Sequence, residues 1–280
     1  MRSGREETLP YSLSRWTDVP AAKWTWFREA LAEGSMMAFG QRDLVPARWS
    51  LRPEDTLGLV FWTKDPSNLL RDHKLIKAYD THVHVTVTGW EEVEKGAPNL
   101  IEGTVLLQRT AYAYGPDKVT WRFSPVPLLP DDEILDRFNR ILAVAAPAGI
   151  REVYLSFLQS NDLVEEKRTV DERLRLMTAL AAIADPKGVQ IRLCNEDRTL
   201  AERHADGLPS NLLSGICAPP ERFSAPDRPV GPSEGCGCAL MVDPFTVNES
   251  CTFGCTYCYA ADRSISNRKR SSTRTLPVLR

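Results

Sequence analysis

Three cysteines near the end of the chain, Cys251, Cys255 and Cys258, stand in the spacing C-x3-C-x2-C. They follow a run that reads as a strand, Ala239-Leu-Met-Val-Asp-Pro-Phe245. Thiolates are soft ligands for iron–sulfur clusters and for zinc. Three so close together can hold three corners of a four-iron cluster and leave the fourth iron open to a small molecule. The competing readings are a zinc knuckle or three unrelated buried thiols. Zinc sites pair one C-x2-C with a second or with histidines, and no histidine follows Cys258.

The other four cysteines, Cys194, Cys217, Cys236 and Cys238, would suffice for a second iron–sulfur cluster or a structural zinc ion. Either would order a Pro- and Gly-rich stretch that has little apolar surface to bury. The plain alternative is a set of small buried hydrophobes, a reading that suits Cys194 at the end of a strand. The cysteine count is seven, and all lie after residue 193. An odd, clustered set argues for a reducing compartment and against a disulfide framework.

The elements that must position these thiols follow from periodicity. Strand patterns run over Tyr11–Arg15, Thr56–Lys64, His82–Thr88, Lys118–Ser124, Glu152–Leu158 and Gly188–Cys194. Helical patterns cover Ala21–Glu33, capped by Thr17 or Asp18, then Asp131–Ala146 and Asp171–Ala184. Six strands before residue 196 and a seventh at Ala239, alternating with helices, predict an α/β fold. The expected form is a partial or full TIM-like barrel of parallel strands, with a cysteine-rich C-terminal segment. Chemistry in such barrels sits at the carboxyl ends of the strands. Arg15 with Asp18, Lys64 with Asp65, Arg122 with Ser124, Gln159 with Asn161, and Asn195 with Glu196 fall there. Each alone reads equally well as a solvated loop charge. The expected division is a barrel scaffold over 1–196, thiol-free through residue 193, a cysteine-rich segment with the last strand and cluster loop over 197–262, and a basic, flexible tail over 263–280.

With 42% hydrophobic and 26% charged residues the chain has the composition of a globular protein with a sizeable core. A net charge of −2 gives no electrostatic reason for a nucleic-acid or membrane partner. No apolar run approaches the roughly 20 residues of a membrane span, and the start lacks a secretory segment. A cytoplasmic location is expected by default.

The C-x3-C-x2-C spacing, with Tyr257 before the last cysteine, resembles the motif of the radical S-adenosylmethionine (SAM) superfamily. Further segments are Ser12–Pro20, Ser50–Asp55, Val60–Lys64, Trp121–Pro125 and Cys236-Gly-Cys238. Together they resemble a prokaryotic domain family of unknown function that bears this motif near its C-terminus. The resemblance implies an enzyme whose 4Fe–4S cluster, held by Cys251, Cys255 and Cys258, cleaves SAM reductively to a 5′-deoxyadenosyl radical. It implies a small-molecule substrate and an electron donor such as flavodoxin or ferredoxin. Ser14, Arg15 and Asp18 become candidates for the SAM amino group, the strand-end set, Arg122 and Glu196 among it, for its carboxylate and ribose, and Tyr257 for the adenine. The superfamily places its cluster loop after the first barrel strand, whereas here it comes last. A circular permutation reconciles the two and puts Ala239–Phe245 parallel to, and beside, Tyr11–Arg15. The contrasting reading is a zinc-stabilised regulatory or nucleic-acid-binding module without catalysis, its basic tail on the nucleic acid. Nucleic-acid repair by radical chemistry lies between the two.

Overall fold

The computed structural model describes residues 9–13, 17–40, 46–158, 168–194, 196–223, 237–243 and 251–258. The N-terminal strand β1 (Pro10–Ser12) leads to a short helix α1 (Val19–Ala22) and to α2 (Trp24–Glu33). Asp18 caps α1 by accepting the Ala21 N–H at 3.0 Å, so the expected single helix is two, parted at Lys23. Next come an antiparallel pair, β2 (Ser35–Gly40) and β3 (Pro46–Ser50), then β4 (Gly58–Thr63), α3 (Ser67–Arg71) and β5 (Thr81–Thr86). The regular part of the chain continues with α4 (Leu100–Tyr114), β6 (Val119–Val126), α5 (Asp131–Ala145), β7 (Glu152–Phe157), α6 (Val170–Ala184) and β8 (Gln190–Leu193). It closes with α7 (Glu196–Arg203), β9 (Leu212–Ser214) and β10 (Val242–Asp243). Asn99 and Thr169 start α4 and α6 with reciprocal caps, each side chain accepting the N–H of a glutamate that bonds back to the cap.

One ten-stranded sheet runs in the order β3-β2-β10-β1-β4-β5-β6-β7-β8-β9. The eight strands from β10 to β9 are parallel, and β2 alone runs the other way, pairing antiparallel with both β10 and β3. The fold is therefore α/β with a large parallel sheet. Among the described residues no pairing joins β3 to β9, so the sheet is not closed by hydrogen bonds. As expected, the strand near Ala239 is the parallel neighbour of the N-terminal one, with Tyr11 opposite Val242.

Three expectations need correction. Eight strands, not six, precede residue 196, because β2 and β3 form an antiparallel ribbon. The stretch after residue 197 is more regular than its Pro and Gly content suggested. It holds most of α7 and all of β9, which extends the sheet by one parallel strand. β6 also runs through Pro125 to Val126, with a register shift against β7 between Phe123 and Val126.

The alternation of side chains along the strands separates two environments. Leu59, Phe61, Val83, Val85, Trp121, Phe123, Val153 and Leu155 face the helices and form the main core. There Trp121 stacks on Phe138 of α5 with ring centroids 5.0 Å apart. Val60, Trp62, His84, Arg122, Tyr154 and Arg192 occupy the alternate positions and so the opposite face. The second core cluster lies on that face, where Cys217, Ala218, Phe223, Cys238, Ala239 and Met241 pack with Val60 and Tyr154. Gly215 lets the chain cross there, because a Cβ at that position would lie 2.7 Å from Arg192 Cβ.

Candidate functional sites

The loop carrying Cys251, Cys255 and Cys258 meets Asp18, which comes after β1, Lys64 just past β4, and Val93 and Gly96 beyond β5. Backbone bonds dock it on the segment after β5: Gly96 N–H donates to Phe253 O at 2.8 Å, and Thr256 N–H to Val93 O at 2.9 Å. Gly96 is required by this contact, since a Cβ there would sit 2.7 Å from Thr252 O and 2.9 Å from Phe253 Cα. Phe253 is buried, and the three cysteines are half-buried.

Beneath the loop is a network of buried charge. Tyr257 donates its hydroxyl to Glu94 Oε1. Lys64 Nζ pairs with the same oxygen at 2.8 Å, and Thr88 donates to Glu94 Oε2 at 2.8 Å. Lys64 also lies 5.9 Å from the Tyr257 ring centroid, within cation–π range. Asp18 accepts from Thr63 Oγ1 at 2.8 Å, from the Lys64 N–H at 2.8 Å and from Ala21 N–H. Burial pushes its carboxyl up to about 6, against the pull of those donors. Burial also raises Cys251, and it raises Cys255 to about 11 despite the nearby Lys64 cation. The Tyr257 hydroxyl is raised too, by burial first and by Glu94 second.

The charge of Cys251 and that of Cys258 both act on Cys255, so the structure brings the three thiols into one neighbourhood. Among the described residues no group of three or more His, Cys, Asp or Glu side chains stands ready to hold a single metal ion. Sulfurs around one tetrahedral ion, each bonded at about 2.3 Å, would lie about 3.8 Å apart.

A second thiol group lies on the face of the sheet opposite the main core. Cys217 Sγ is 3.3 Å from Cys238 Sγ, and Cys194, just beyond β8, hydrogen-bonds to Cys217. Bonds from Cys194 and Cys238, with Arg122 adding its charge, hold the Cys217 thiol well below its usual value although burial opposes them. Burial pulls the Arg122 guanidinium down, yet Cys217, Cys194 and Cys238 outweigh it and keep the group above its ordinary value. Neighbouring His84 is lowered to about 3 by burial.

The expected residues are thus sorted into two places. Asp18 and Tyr257 are beside the first loop. Arg122 is not at a strand end near it but midway along β6, against the second thiol group. Glu196 opens α7, far along the sheet from β1, and its side chain is outside the described residues, as are Ser14, Arg15, Asn195 and Cys236. Sequence reasoning passed over Glu94, Thr88 and His84. Glu94 carried no pattern signal, because it sits in the irregular segment between β5 and α4. His84 was visible only as one member of an alternating strand.

The sequence matches the family described as Domain of unknown function (DUF1848) over residues 11–260. The chain belongs to the DUF1848 family. No curated protein matches it. The DUF1848 match begins within β1 and ends just past Cys258, so it spans both strands that meet at the Tyr11–Val242 contact, and both thiol groups. Among the described residues no helix of this DUF1848 chain is long and apolar enough to cross a membrane.

Proposed function

We propose that this chain is a radical-SAM enzyme, with Cys251, Cys255 and Cys258 holding a 4Fe–4S cluster. The observation that carries the reading is the seat of the three-thiol loop. It follows a terminal strand that pairs in parallel with β1, and it meets residues that come after β1, β4 and β5. On this reading the eight parallel strands are a partial barrel in circularly permuted order, with β10 first, then β1 and β4 onward. A 4Fe–4S cluster held by Cys251, Cys255 and Cys258 would supply the one-electron reductive cleavage of SAM to methionine and a 5′-deoxyadenosyl radical, the electron coming from the redox partner.

The chain's own residues supply placement and charge. Glu94, fixed by Thr88 and Lys64, anchors Tyr257 and with it the last turn of the loop. Lys64 gives a buried positive group close to Cys255 for the carboxylate of a bound ligand. Asp18, beside Cys251, offers a carboxyl whose raised value suits proton exchange near neutral pH. The substrate on this reading is a small molecule, and the electron donor is a small redox protein of the flavodoxin or ferredoxin type.

Anaerobically reconstituted protein incubated with SAM and dithionite tests this directly. It should hold about four irons and four sulfides at the loop, and release 5′-deoxyadenosine. Cys255→Ala should abolish both the loop iron and the product. Wild-type protein with a full cluster and no SAM cleavage would refute the proposal.

A further inference from the structure

The second thiol group contains more than its three sulfurs. His84 is 1% exposed, and neither ring nitrogen has a hydrogen-bond partner among the described residues. Its ring lies flat on Trp62, with centroids 5.2 Å apart and planes 9° from parallel, and edge-on to Tyr154 at 6.0 Å. Both rings belong to the buried cluster that includes Cys194, Cys217 and Cys238. Tyr154 is itself satisfied, donating to Ile216 O at 2.8 Å. Arg122 Nη1 is buried without a hydrogen-bond partner beside the same thiols. Buried polar groups are ordinarily paired. Here an imidazole with two bare nitrogens adjoins three thiols and a guanidinium in one enclosed space.

We propose that Cys194, Cys217, Cys238 and His84 bind one zinc-class divalent ion in a tetrahedral site distinct from the three-thiol loop. The spacing favours a single ion over a cluster. A tetrahedral ion sets its sulfurs about 3.8 Å apart, and the Cys217–Cys238 separation is already 3.3 Å. As the chain stands the sulfurs share protons, and no three donors yet converge. Metal entry releases the remaining thiol protons to solvent and widens that contact by about half an ångström. The charges balance as well. Three thiolates, a neutral imidazole and a divalent ion sum to one negative charge, and the Arg122 guanidinium cancels it. That gives the buried arginine its counter-ion. The His84 nitrogen turned to the metal gains the partner it lacks.

The site would tie β5, β6 and β8 to the segments at 217 and 238, and it does not depend on the radical-SAM reading. Cobalt(II) is the probe, added anaerobically to full-length protein stripped of metal. Wild type should bind one cobalt with the visible bands of tetrahedral thiolate coordination. The triple variant Cys251→Ser, Cys255→Ser, Cys258→Ser should keep those bands, and Cys217→Ser with Cys238→Ser should lose them. His84→Ala should shift the bands and weaken cobalt binding roughly tenfold or more. Absence of tetrahedral bands in wild type overturns the site, as does their loss in the loop triple variant. Unchanged bands in His84→Ala overturn the histidine's role. Should the Cys217/Cys238 variant fail to fold, wild type and the loop triple variant still decide the matter.

Discussion

Tyr11 and Val242 stand opposite each other in parallel register, although they lie near the two ends of the chain. Val242 also faces Gly40 of β2 from its other side, so the two-residue strand β10 bridges the parallel and antiparallel parts of the sheet. Its position predicts that Val242→Asp is severe. Val242 is fully buried, and an unpaired charge there should cost about 3 kcal/mol or more. Urea denaturation should show a large fall in the midpoint. Unchanged stability would mean that the strand does not fill this slot.

Gly96→Ala should loosen the cysteine loop without unfolding the protein. The added methyl meets backbone on the other side, at Thr252 O and Phe253 Cα, and backbone yields poorly. Reconstituted variant should carry less iron at the loop than wild type, while far-ultraviolet circular dichroism stays the same. Full iron occupancy would count against the docked geometry.

Glu94 gives a graded pair of variants. Tyr257→Phe removes one neutral donor from the buried carboxylate and should cost about 1–2 kcal/mol. Lys64→Met removes its only ion-pair partner among the described residues and should cost about 3 kcal/mol. The order of the two urea midpoints is the check. Equal effects would show that Glu94 is not held as a charged group.

His82 predicts an acid limb of stability. Burial, then the Arg222 charge, lowers its value from 6.5 to about 4. Between those values the unfolded chain binds the extra proton and the folded chain does not. Stability from this group is therefore complete above about pH 6.5 and is lost as pH falls toward about 4, by roughly 3 kcal/mol. Asp18, raised to about 6, acts oppositely over much of the same range, its penalty growing as pH rises from 3.8. Hence His82→Gln, compared with wild type at pH 4.5 and pH 7, should gain relative stability at the lower pH. The same difference at both would refute the assignment.

Most of the parallel sheet was legible because its strands alternate between an apolar helix-facing side and a mixed opposite side, which leaves a period of two. β2 and β3 escaped notice because Ser35–Gly40 and Pro46–Ser50 carry little alternation, and the pairing between them supplies the order. β9 was hidden in three residues between Pro and Gly. The loop cysteines were legible from spacing alone. The partners below them were not: Lys64 and Glu94 are 30 positions apart in sequence and meet only because β4 and β5 are neighbours. Arg122 shows the converse limit. Its strand was readable, but how far β6 runs past it was not, and that extension moves it from the rim to the interior.

The wedge of β10 between β1 and β2 also constrains how the protein is made. A ribosome delivers β1, β2 and the whole run from β4 to β9 before it delivers Val242. Until then β1 has one open edge and β2 has another, each with unpaired backbone groups facing a gap one strand wide. Closure demands a contact between residues as far apart in sequence as Tyr11 and Val242, the slowest kind to form. The emerging polypeptide must therefore wait with a vacant slot beside its N-terminal strand. A growing chain in that state offers an edge to any stray strand, and its dependence on chaperones should be greatest just before Val242 emerges.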